Sequence, residues 1–301
     1  MYDLIVIGGG PAGLTATVYA IRKRLDVLLI SKDLGGKTNY RLALPWIEDY
    51  QVIRGLEVVE KFRRELEYLT FARQMESVEK VQRHPDGFEV LLKSGEQLVA
   101  RTVIVASGAK QKRLIIPGEK EFMMRGLCYS ALSYAPLFID RTTIVIGDGE
   151  LALRSAAELA VVARHVHLIG TGSGIHDQIL GKKLARAENV TILENHQVVE
   201  VIGNGFAERV VIEGPDGKKQ ELEADGTFIE LGLIPNSKMV SDLIELDAQG
   251  RIRVDCAART SLPGLYAAGD VTDSYAEQVL VAVGEGAKAA LSAYEYLLPY
   301  L

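Results

Sequence analysis

The sequence predicts an α/β fold in which one strand-turn-helix unit occurs twice. The two copies read DLIVIGGGPAGLTATVYA near the start of the chain and TTIVIGDGELALRSAAELA near its middle. Each runs from an apolar strand through a glycine turn into a helix of small residues. The next strand ends after the same interval in both copies, at Ser31 after Gly8 and at Gly170 after Gly147. Equal spacing indicates one supersecondary unit used in two domains, with Ser31 and Gly170 at equivalent positions.

The segments around the two copies supply the remaining elements. GLEVVEKFRRELEYL has apolar residues at helical spacing, and GFEVLLKSGEQLVARTVIVASGA alternates around KSGE like a hairpin that leads into a strand. Another hairpin is predicted near VVIEGPDGKKQELEADGTFIEL, and strands and a closing helix follow it. LIIPGE and GLIPNS mark two domain crossings. We therefore predict two Rossmann-like domains of three layers (ββα), a discontinuous first domain (1–114 and 237–301) and a second (115–236) inserted into it.

The charge balance limits the classes of partner. The 301 residues carry a formal net charge of −6, which argues against general binding to nucleic acid or anionic membranes, because both need a basic field. The basic clusters IRKR and KQKR are typical of solvated faces, although an acidic protein partner could use one of them.

Cysteine content and the start of the chain limit the environment. Cys128 and Cys256 form neither a metal-spaced cluster nor a disulfide framework, so no metal site is predicted. The first strand pattern begins at Asp3, which leaves no room for a signal peptide. No apolar run approaches the roughly 20 residues that span a bilayer. We therefore expect a cytoplasmic location.

The first glycine turn is typical of a dinucleotide site. Gly8 permits the tight turn, Gly10 lets a pyrophosphate approach the backbone, and Gly13 lets the helix pack against the strand. Pro11 and Ala12 open the helix, whose first amide groups face the phosphates. The strand before the turn and the helix after it are the context that this motif requires.

The far end of the chain identifies the nucleotide. In TSLPGLYAAGDVTD, Gly269 and Asp270 follow an apolar strand. With the glycine turns, this stretch resembles the low-molecular-weight thioredoxin reductases, a branch of the pyridine nucleotide-disulfide oxidoreductases, over almost the whole chain. The resemblance implies an FAD-dependent oxidoreductase and a homodimer. It makes Asp270 the ligand of the ribityl chain and places the amides of Gln278 and Val279 at the flavin pyrimidine. It also implies FAD contacts in the ASGA and GGK segments, at Ala106, Ser107, Gly108, Gly35, Gly36 and Lys37.

Two residues of the FAD site depart from the family pattern. Where the family places an acid for the ribose hydroxyls, this chain has Ser31 followed by Lys32. Ribose recognition is therefore expected to be weaker or rearranged. Trp46 falls near the place where the family presents an asparagine to the flavin. A tryptophan there could stack on an aromatic cofactor, but we favour a core position.

The second glycine turn has the shape of a nucleotide site without the specificity residues. Gly147, Gly149 and Ala152 satisfy the turn pattern, and Glu150 and Gly170 complete the candidate second nucleotide site. The family reads the NADPH 2′-phosphate with a His-Arg-Arg run, where this chain has GTGSGIHDQ. That stretch has no arginine or lysine, and its one acid, Asp177, comes late. NADPH is therefore not an expected cofactor, whereas a second FAD or another nucleotide stays open.

The redox-active thiols of the family are missing. The family carries Tyr-Cys-x-x-Cys where this chain reads YSALS, so Ser130 and Ser133 occupy the thiol positions. A serine cannot supply the thiolate that attacks a disulfide. A lone thiol at Cys128 cannot close the missing disulfide, and we interpret it as a buried small hydrophobe. Thioredoxin-disulfide reductase activity is therefore doubtful, and no catalytic residue is assigned.

Three functions remain open from the sequence. We favour an FAD-dependent oxidoreductase whose electrons come from a donor other than NADPH, either a ferredoxin-like acidic carrier or a second bound flavin. One alternative is an NAD(P)H-dependent flavin or ferredoxin reductase. The other is a flavin-binding sensor or scaffold without turnover.

Overall fold

The computed structural model describes residues 1–50 and 55–301. In this part of the chain the strands are β1 (Tyr2–Ile7), β2 (Val27–Ile30), β3 (Leu42–Leu44), β4 (Ile47–Tyr50), β5 (Arg73–Gln74), β6 (Val78–His84), β7 (Gly87–Leu92), β8 (Gln97–Val105), β9 (Ala109–Gln111), β10 (Leu127–Cys128), β11 (Thr142–Ile146), β12 (His165–Ile169), β13 (Val190–Leu193), β14 (Gln197–Gly203), β15 (Ala207–Glu213), β16 (Lys219–Glu223), β17 (Gly226–Ile229), β18 (Leu233–Pro235) and β19 (Leu265–Ala267). The helices are α1 (Pro11–Arg22), α2 (Leu56–Tyr68), α3 (Glu119–Phe122), α4 (Ala131–Tyr134), α5 (Glu150–Val162), α6 (Ile179–Leu184) and α7 (Val279–Leu297). Short 3₁₀ segments are Gly36–Asn39, Thr70–Ala72, Ala135–Phe138, Lys238–Val240 and Leu298–Tyr300.

The chain divides into two compact units. The first contains Met1–Asn39, Ile53–Lys110 and Ile234–Leu301, and the second contains Tyr40–Val52 and Gln111–Leu233. The predicted crossings at LIIPGE and GLIPNS lie within a few residues of the places where the chain passes between units. The second unit also includes 40–52, because β3 and β4 pair with each other and the Ala43 amide donates to the Met124 carbonyl at 2.9 Å.

The first unit has a parallel sheet extended by a hairpin. The strands run in the order β5-β2-β1-β8-β7-β6, and β19 pairs in parallel with the end of β8. Leu4 and Val6 of β1 face a cluster that contains α1 and α7, whereas Ile5 and Ile7 face the opposite cluster with the hairpin strands β6 and β7. Alternation along a strand thus buries both faces of the sheet. These are the three layers predicted from the sequence.

The second unit repeats this arrangement. Its parallel sheet has the order β10-β17-β11-β12-β13, and an antiparallel sheet, β14-β15-β16, forms a separate layer. Val145 of β11 packs toward α5, and its neighbours Ile144 and Ile146 pack toward the antiparallel sheet. The predicted α/β fold of two Rossmann-like domains is therefore confirmed.

The two copies match in register as the spacing predicted. Ile7 of β1 pairs with Ile30, and Ile146 of β11 pairs with Ile169. The amide of the first glycine in each turn donates to the carbonyl of the residue that ends the next strand. Gly8 donates to Ile30 and Gly147 to Ile169, both at 2.9 Å. Ser31 and Gly170 thus follow equivalent strand ends.

Two kinds of feature are absent from the described part of the chain. None of the helices in 1–50 and 55–301 is long and apolar enough to cross a membrane. In the same ranges, no three histidine, cysteine or acidic side chains are grouped so that they could hold a metal ion.

Candidate functional site

The first glycine turn leaves room for a ligand at one position only. Gly8 has φ of +111°, and a Cβ there would lie 2.3 Å from the Ala106 carbonyl oxygen. A Cβ on Gly13 would lie 1.7 Å from the Gly8 carbonyl oxygen. A Cβ on Gly10 would meet no atom within 4 Å, although the backbone there is extended and suits any residue. Gly8 and Gly13 are therefore required by the protein itself, whereas Gly10 keeps an open approach to the backbone.

The start of α1 suits an anion. Gly10 caps the helix without a side-chain hydrogen bond, Pro11 takes the first helical position, and no acid stands in the first turn. The first amides of a helix lack internal acceptors and carry the positive end of the helix dipole. A pyrophosphate fits here, and the open Cβ direction at Gly10 is the space through which it would reach the backbone.

The predicted Gly35 segment lies against this turn. The Gly35 amide donates to the Gly9 carbonyl at 2.7 Å, and a Cβ on Gly36 would lie 3.1 Å from the Gly10 Cα atom. The Asp33 carboxylate accepts the Gly36 amide at 2.9 Å and fixes the loop. Neither Gly9 nor Asp33 was predicted as a site residue from the sequence. A Cβ on Gly9 would lie 2.1 Å from the Asp33 carbonyl oxygen, so that position also needs glycine.

Ser31 stabilises the turn from inside the protein. Its hydroxyl accepts the Gly9 amide at 2.7 Å and donates to the Asp33 carbonyl at 2.7 Å. Its one proton is therefore committed, and the remaining lone pair is the only hydrogen-bonding capacity that it offers a ribose. The neighbouring Lys32 side chain is exposed. Ser31 thus keeps the shape of the turn and offers a ribose fewer hydrogen-bond acceptors than a carboxylate would.

An ion pair lies at the predicted ribityl position. The Lys37 ammonium is 2.8 Å from the Asp270 carboxylate, with the two side chains 37% and 20% exposed. Glu277 is close to both, and burial, with a smaller effect of the Asp270 charge, raises the pKa of Glu277. The sequence had predicted Lys37 and Asp270 as separate FAD contacts but gave no sign of their pairing or of Glu277.

Two further polar residues hold the other predicted FAD segments. Asn236 donates its side-chain amide to the Ser107 carbonyl at 2.9 Å, and the Ser107 hydroxyl donates to the Asn236 carbonyl at 2.8 Å. Glu285 of α7 accepts the Gly269 amide at 2.8 Å. Neither Asn236 nor Glu285 was predicted, because each acts on a backbone segment distant in sequence.

The remaining predicted FAD residues lie at turns and helix starts of the first unit. Gln278 caps α7 and Val279 is its first residue, as predicted from EQV. Gly108 and Gly269 have φ of +66° and +78°, in the left-handed region that glycine tolerates. Ala106 donates its amide to the Ile7 carbonyl at 2.8 Å, and Ala12 is buried.

The second glycine turn has nearly the same backbone and a different charge. Gly147 has φ of +148°, and a Cβ there would lie 2.9 Å from the Ala152 Cβ atom, while Gly149 caps α5 and has open space at its Cβ direction. Glu150 stands in the first turn of α5, where α1 has no acid. Asp148 lies between the two glycines, where the first turn has Gly9.

Asp148 is hydrogen-bonded to the loop after β12. Its carboxylate accepts the Thr171 hydroxyl at 2.9 Å, the Thr171 amide at 3.3 Å and the Gly172 amide at 3.0 Å. A second carboxylate, Glu194, accepts the amides of Gly174 and His176, both at 3.1 Å. The loop where a nucleotide ribose would be read is therefore fixed by the protein's own acids.

A further acid, Glu230, borders the same turn through its main chain, and its carboxylate lies against α5. Glu230 is 4% exposed and accepts the Ser155 hydroxyl at 2.8 Å. A Cβ on Gly147 would lie 2.5 Å from the Glu230 carbonyl oxygen, so this residue borders the turn directly. Negative charges at a helix start neutralise the positive end of the helix dipole and repel a phosphate.

The two serines that the sequence places at the thiol positions lie close together. The Ser130 hydroxyl donates to the Ser133 hydroxyl at 3.2 Å. Tyr129, just before them, donates to the Glu119 carboxylate at 3.1 Å, and Glu119 is only 1% exposed. The segment is thus held in place, although its side chains have no redox chemistry.

Both cysteines are free thiols. Cys128 is a fully buried free thiol of the second unit, and burial, with the Glu230 charge as the smaller cause, raises its pKa. Cys256 is an exposed free thiol of the first unit. A buried thiol with a raised pKa stays protonated and unreactive at neutral pH.

Trp46 has a structural environment inside the second unit. Its indole N–H donates to the Leu137 carbonyl at 3.3 Å, and its ring meets Phe138 edge-on with 5.8 Å between centroids. The Arg141 guanidinium lies 4.2 Å from the ring centroid. These contacts agree with the core position that we favoured.

Comparison with known proteins agrees with this geometry. Residues 2–286 match the family described as pyridine nucleotide-disulphide oxidoreductase. A thioredoxin reductase from Streptococcus pyogenes has a solved structure that is 33% identical, with a TM-score of 0.87, over 99% of this chain and 98% of that one. A thioredoxin reductase from Lactococcus lactis is 30% identical, with a TM-score of 0.66, over 99% of this chain and all of its own.

Curated relatives of this chain are longer proteins. An NADH dehydrogenase of Bacillus subtilis is 31% identical over 99% of this chain and 59% of its own length. A component of the alkyl hydroperoxide reductase of Pseudomonas putida is 34% identical over 99% of this chain and 58% of its own length. The chain therefore spans about three fifths of these relatives. Members of the matched family are oxidoreductases that bind FAD and a pyridine nucleotide.

The predicted resemblance to thioredoxin reductases is confirmed by these matches. The chain belongs to the pyridine nucleotide-disulphide oxidoreductase family.

Proposed function

We propose that this chain is an FAD-dependent oxidoreductase that takes its electrons from an acidic protein carrier of the ferredoxin type. In this proposal it accepts electrons neither from NADPH nor by way of a dithiol. Bound FAD would supply two-electron storage and one-electron exchange. The first glycine turn would hold its pyrophosphate, and the Lys37–Asp270 pair would lie at its ribityl chain.

The contrast between the two glycine turns is the observation that supports the proposal. The first turn has no acid in the first turn of its helix, whereas the second has Glu150 there, Asp148 within the turn and Glu230 bordering it. Both turns have open space at the middle glycine. The difference is therefore one of charge. Arg154 pairs with Glu150 at 2.6 Å, so Asp148 and Glu230 are the acids that make the second turn less favourable to a phosphate.

The same charges disfavour a second flavin. A second FAD would place its own pyrophosphate at the Gly147 turn and meet the same carboxylates. A protein carrier needs no such turn, because it delivers electrons across a surface contact. We therefore prefer the carrier to the second flavin as donor.

One specific observation favours the alternative of an NAD(P)H-dependent reductase. One relative bears the name NADH dehydrogenase and is 31% identical to this chain. NADH has no 2′-phosphate, so the lack of arginines after β12 does not argue against it. Asp148 nevertheless already accepts three hydrogen bonds from Thr171 and Gly172, which leaves its carboxylate little capacity for a ribose hydroxyl.

The proposal is tested by counting flavins and by supplying the carrier. We expect one FAD per chain in the supernatant of denatured protein. We also expect a chemically reduced [2Fe–2S] ferredoxin to bleach the flavin anaerobically. Two flavins per chain would favour the second-flavin donor, and a flavin that stays oxidised with reduced ferredoxin would contradict the carrier.

The homodimer implied by the resemblance and the cytoplasmic location expected from the start of the chain remain predictions. The identity of the electron acceptor is likewise open within this proposal, although a thioredoxin disulfide is not expected.

A further inference from the structure

The basic clusters that the sequence offered for docking are partly used within the protein. Arg22 pairs with Glu65 at 3.4 Å, and the Lys23 ammonium lies 4.8 Å from the Tyr294 ring centroid. Arg113 pairs with the buried Glu119 at 3.4 Å. A partner would have to compete with these contacts. Neither cluster is therefore the best docking surface for an acidic protein.

A different basic surface lies on α6 and the residues just after it. Ile179, Lys182, Lys183 and Arg186 follow one another at the spacing of one helical face, and all four are exposed. The opposite face is formed by Gly181 and Leu184, which are buried. We call the four exposed residues the α6 basic face.

The charges of the α6 basic face have no anionic partner within 1–50 and 55–301. Lys182, Lys183 and Arg186 form no ion pair with the described carboxylates. Ile179 at the start of the face is 91% exposed. Three unpaired cations around an exposed apolar side chain, on a chain of net charge −6, form a local field opposite in sign to the rest of the protein. Such a field attracts an acidic surface.

The loop before α6 holds this face in place. Thr171 and Gly172 are bonded to Asp148, and Gly174 and His176 are bonded to Glu194, so the carboxylates of these two acids are engaged by the loop. The Gln178 side chain also donates to the Asp148 carbonyl at 3.2 Å. Asp148, which also disfavours a phosphate at the Gly147 turn, and Glu194 thereby order the segment that carries the cations. A surface that is ordered before binding loses less entropy on association.

We propose that the α6 basic face is the docking surface for the acidic electron carrier. This inference rests on the proposed function and adds to it the place of contact. The occupant is an acidic electron-carrier protein of the ferredoxin type, recognised by its carboxylates around an apolar centre. Charged contacts at the edge of such an interface act mainly on the rate of association and on its dependence on salt.

The test reverses two charges of this face and two elsewhere. The variant K182E/K183E is compared with K61E/R64E, which changes the net charge equally. Lys61 and Arg64 are exposed on α2 of the first unit and form no ion pair with the described carboxylates. The probe is a chemically reduced [2Fe–2S] ferredoxin, and the readout is anaerobic stopped-flow bleaching of the flavin at several ionic strengths.

We expect K182E/K183E to lower the second-order rate constant about tenfold to a hundredfold at low ionic strength and to flatten its salt dependence. K61E/R64E is expected to keep most of the wild-type rate. Equal rates in K182E/K183E and wild type, or equal losses in the two variants, would overturn the docking surface and leave the proposed function standing. If ferredoxin fails to bleach the wild-type flavin, both proposals fall. If K182E/K183E is purified without flavin, K182Q/K183Q replaces it, with a smaller loss expected in the same direction.

Discussion

Replacing Gly10 by valine is expected to give a folded protein that has lost its FAD. A Cβ at this position meets no protein atom within 4 Å, and the backbone there is extended, so the fold should tolerate the change. The new side chain would fill the space through which a pyrophosphate reaches the amides of α1. We expect affinity for FAD to fall at least about a hundredfold, or ~2.7 kcal/mol. Flavin absorbance per chain measures the loss of FAD, and far-ultraviolet circular dichroism measures whether the fold is kept.

The matched control is the same substitution in the other turn. Gly149 also has open space at its Cβ direction and caps the equivalent helix. If the second turn holds no nucleotide, Gly149→Val should leave the flavin content and the reaction with ferredoxin unchanged. Loss of flavin from Gly149→Val would indicate a nucleotide at the second turn. An unchanged flavin content in Gly10→Val would contradict the binding of FAD at the first turn.

Restoring two cysteines should restore a disulfide without restoring NADPH-driven chemistry. The hydroxyl oxygens of Ser130 and Ser133 are 3.2 Å apart, which brings the two side chains close enough for a disulfide after small adjustments. We expect oxidised S130C/S133C to show two thiols per denatured chain, those of Cys128 and Cys256, and four after reduction. NADPH should not convert the oxidised form into the reduced one, because the acids of the second turn are unchanged.

Two variants serve as controls for this experiment. S130A/S133A should keep the reaction with ferredoxin, since the serines carry no electrons. In C256S, thiol reagents should label almost nothing in the native state, because Cys128 is fully buried. Four thiols in oxidised, denatured S130C/S133C would show that the inherited spacing does not suit a disulfide. NADPH-dependent reduction of that variant would contradict the account of the second turn.

The sequence predicted the repeated architecture well because local spacing determines it. The interval from Gly8 to Ser31 recurs from Gly147 to Gly170, and the strands pair in the matching register. Turn, strand and helix each leave a local pattern of glycine and apolar residues. The helix start at Val279 was visible for the same reason.

Long-range side-chain pairing was not predictable. Lys37 and Asp270 lie at opposite ends of the chain, and each had been assigned its own FAD contact. The sequence drew attention to Asp177 as the acid nearest the nucleotide loop, whereas Asp148 and Glu194 make the bonds to it. A local sequence pattern does not indicate from which distant backbone amide a carboxylate will accept a hydrogen bond.

The grouping of 40–52 with the second unit was not predictable for the same reason, since it depends on long-range contacts. It depends on contacts such as the Trp46 indole with Leu137, between residues far apart in the chain. The α6 basic face was also missed, because a charge count cannot tell a paired arginine such as Arg113 from an unpaired lysine such as Lys182. That distinction needs coordinates.

The most direct measurement is an anaerobic titration of the flavin with NADPH, followed by absorbance. Dithionite is added at the end to show that the flavin can be reduced. We predict that a large excess of NADPH leaves the flavin oxidised for minutes and that dithionite then bleaches it at once. Bleaching by stoichiometric NADPH within seconds would contradict the claim that the carboxylates at the second glycine turn have closed it to this nucleotide.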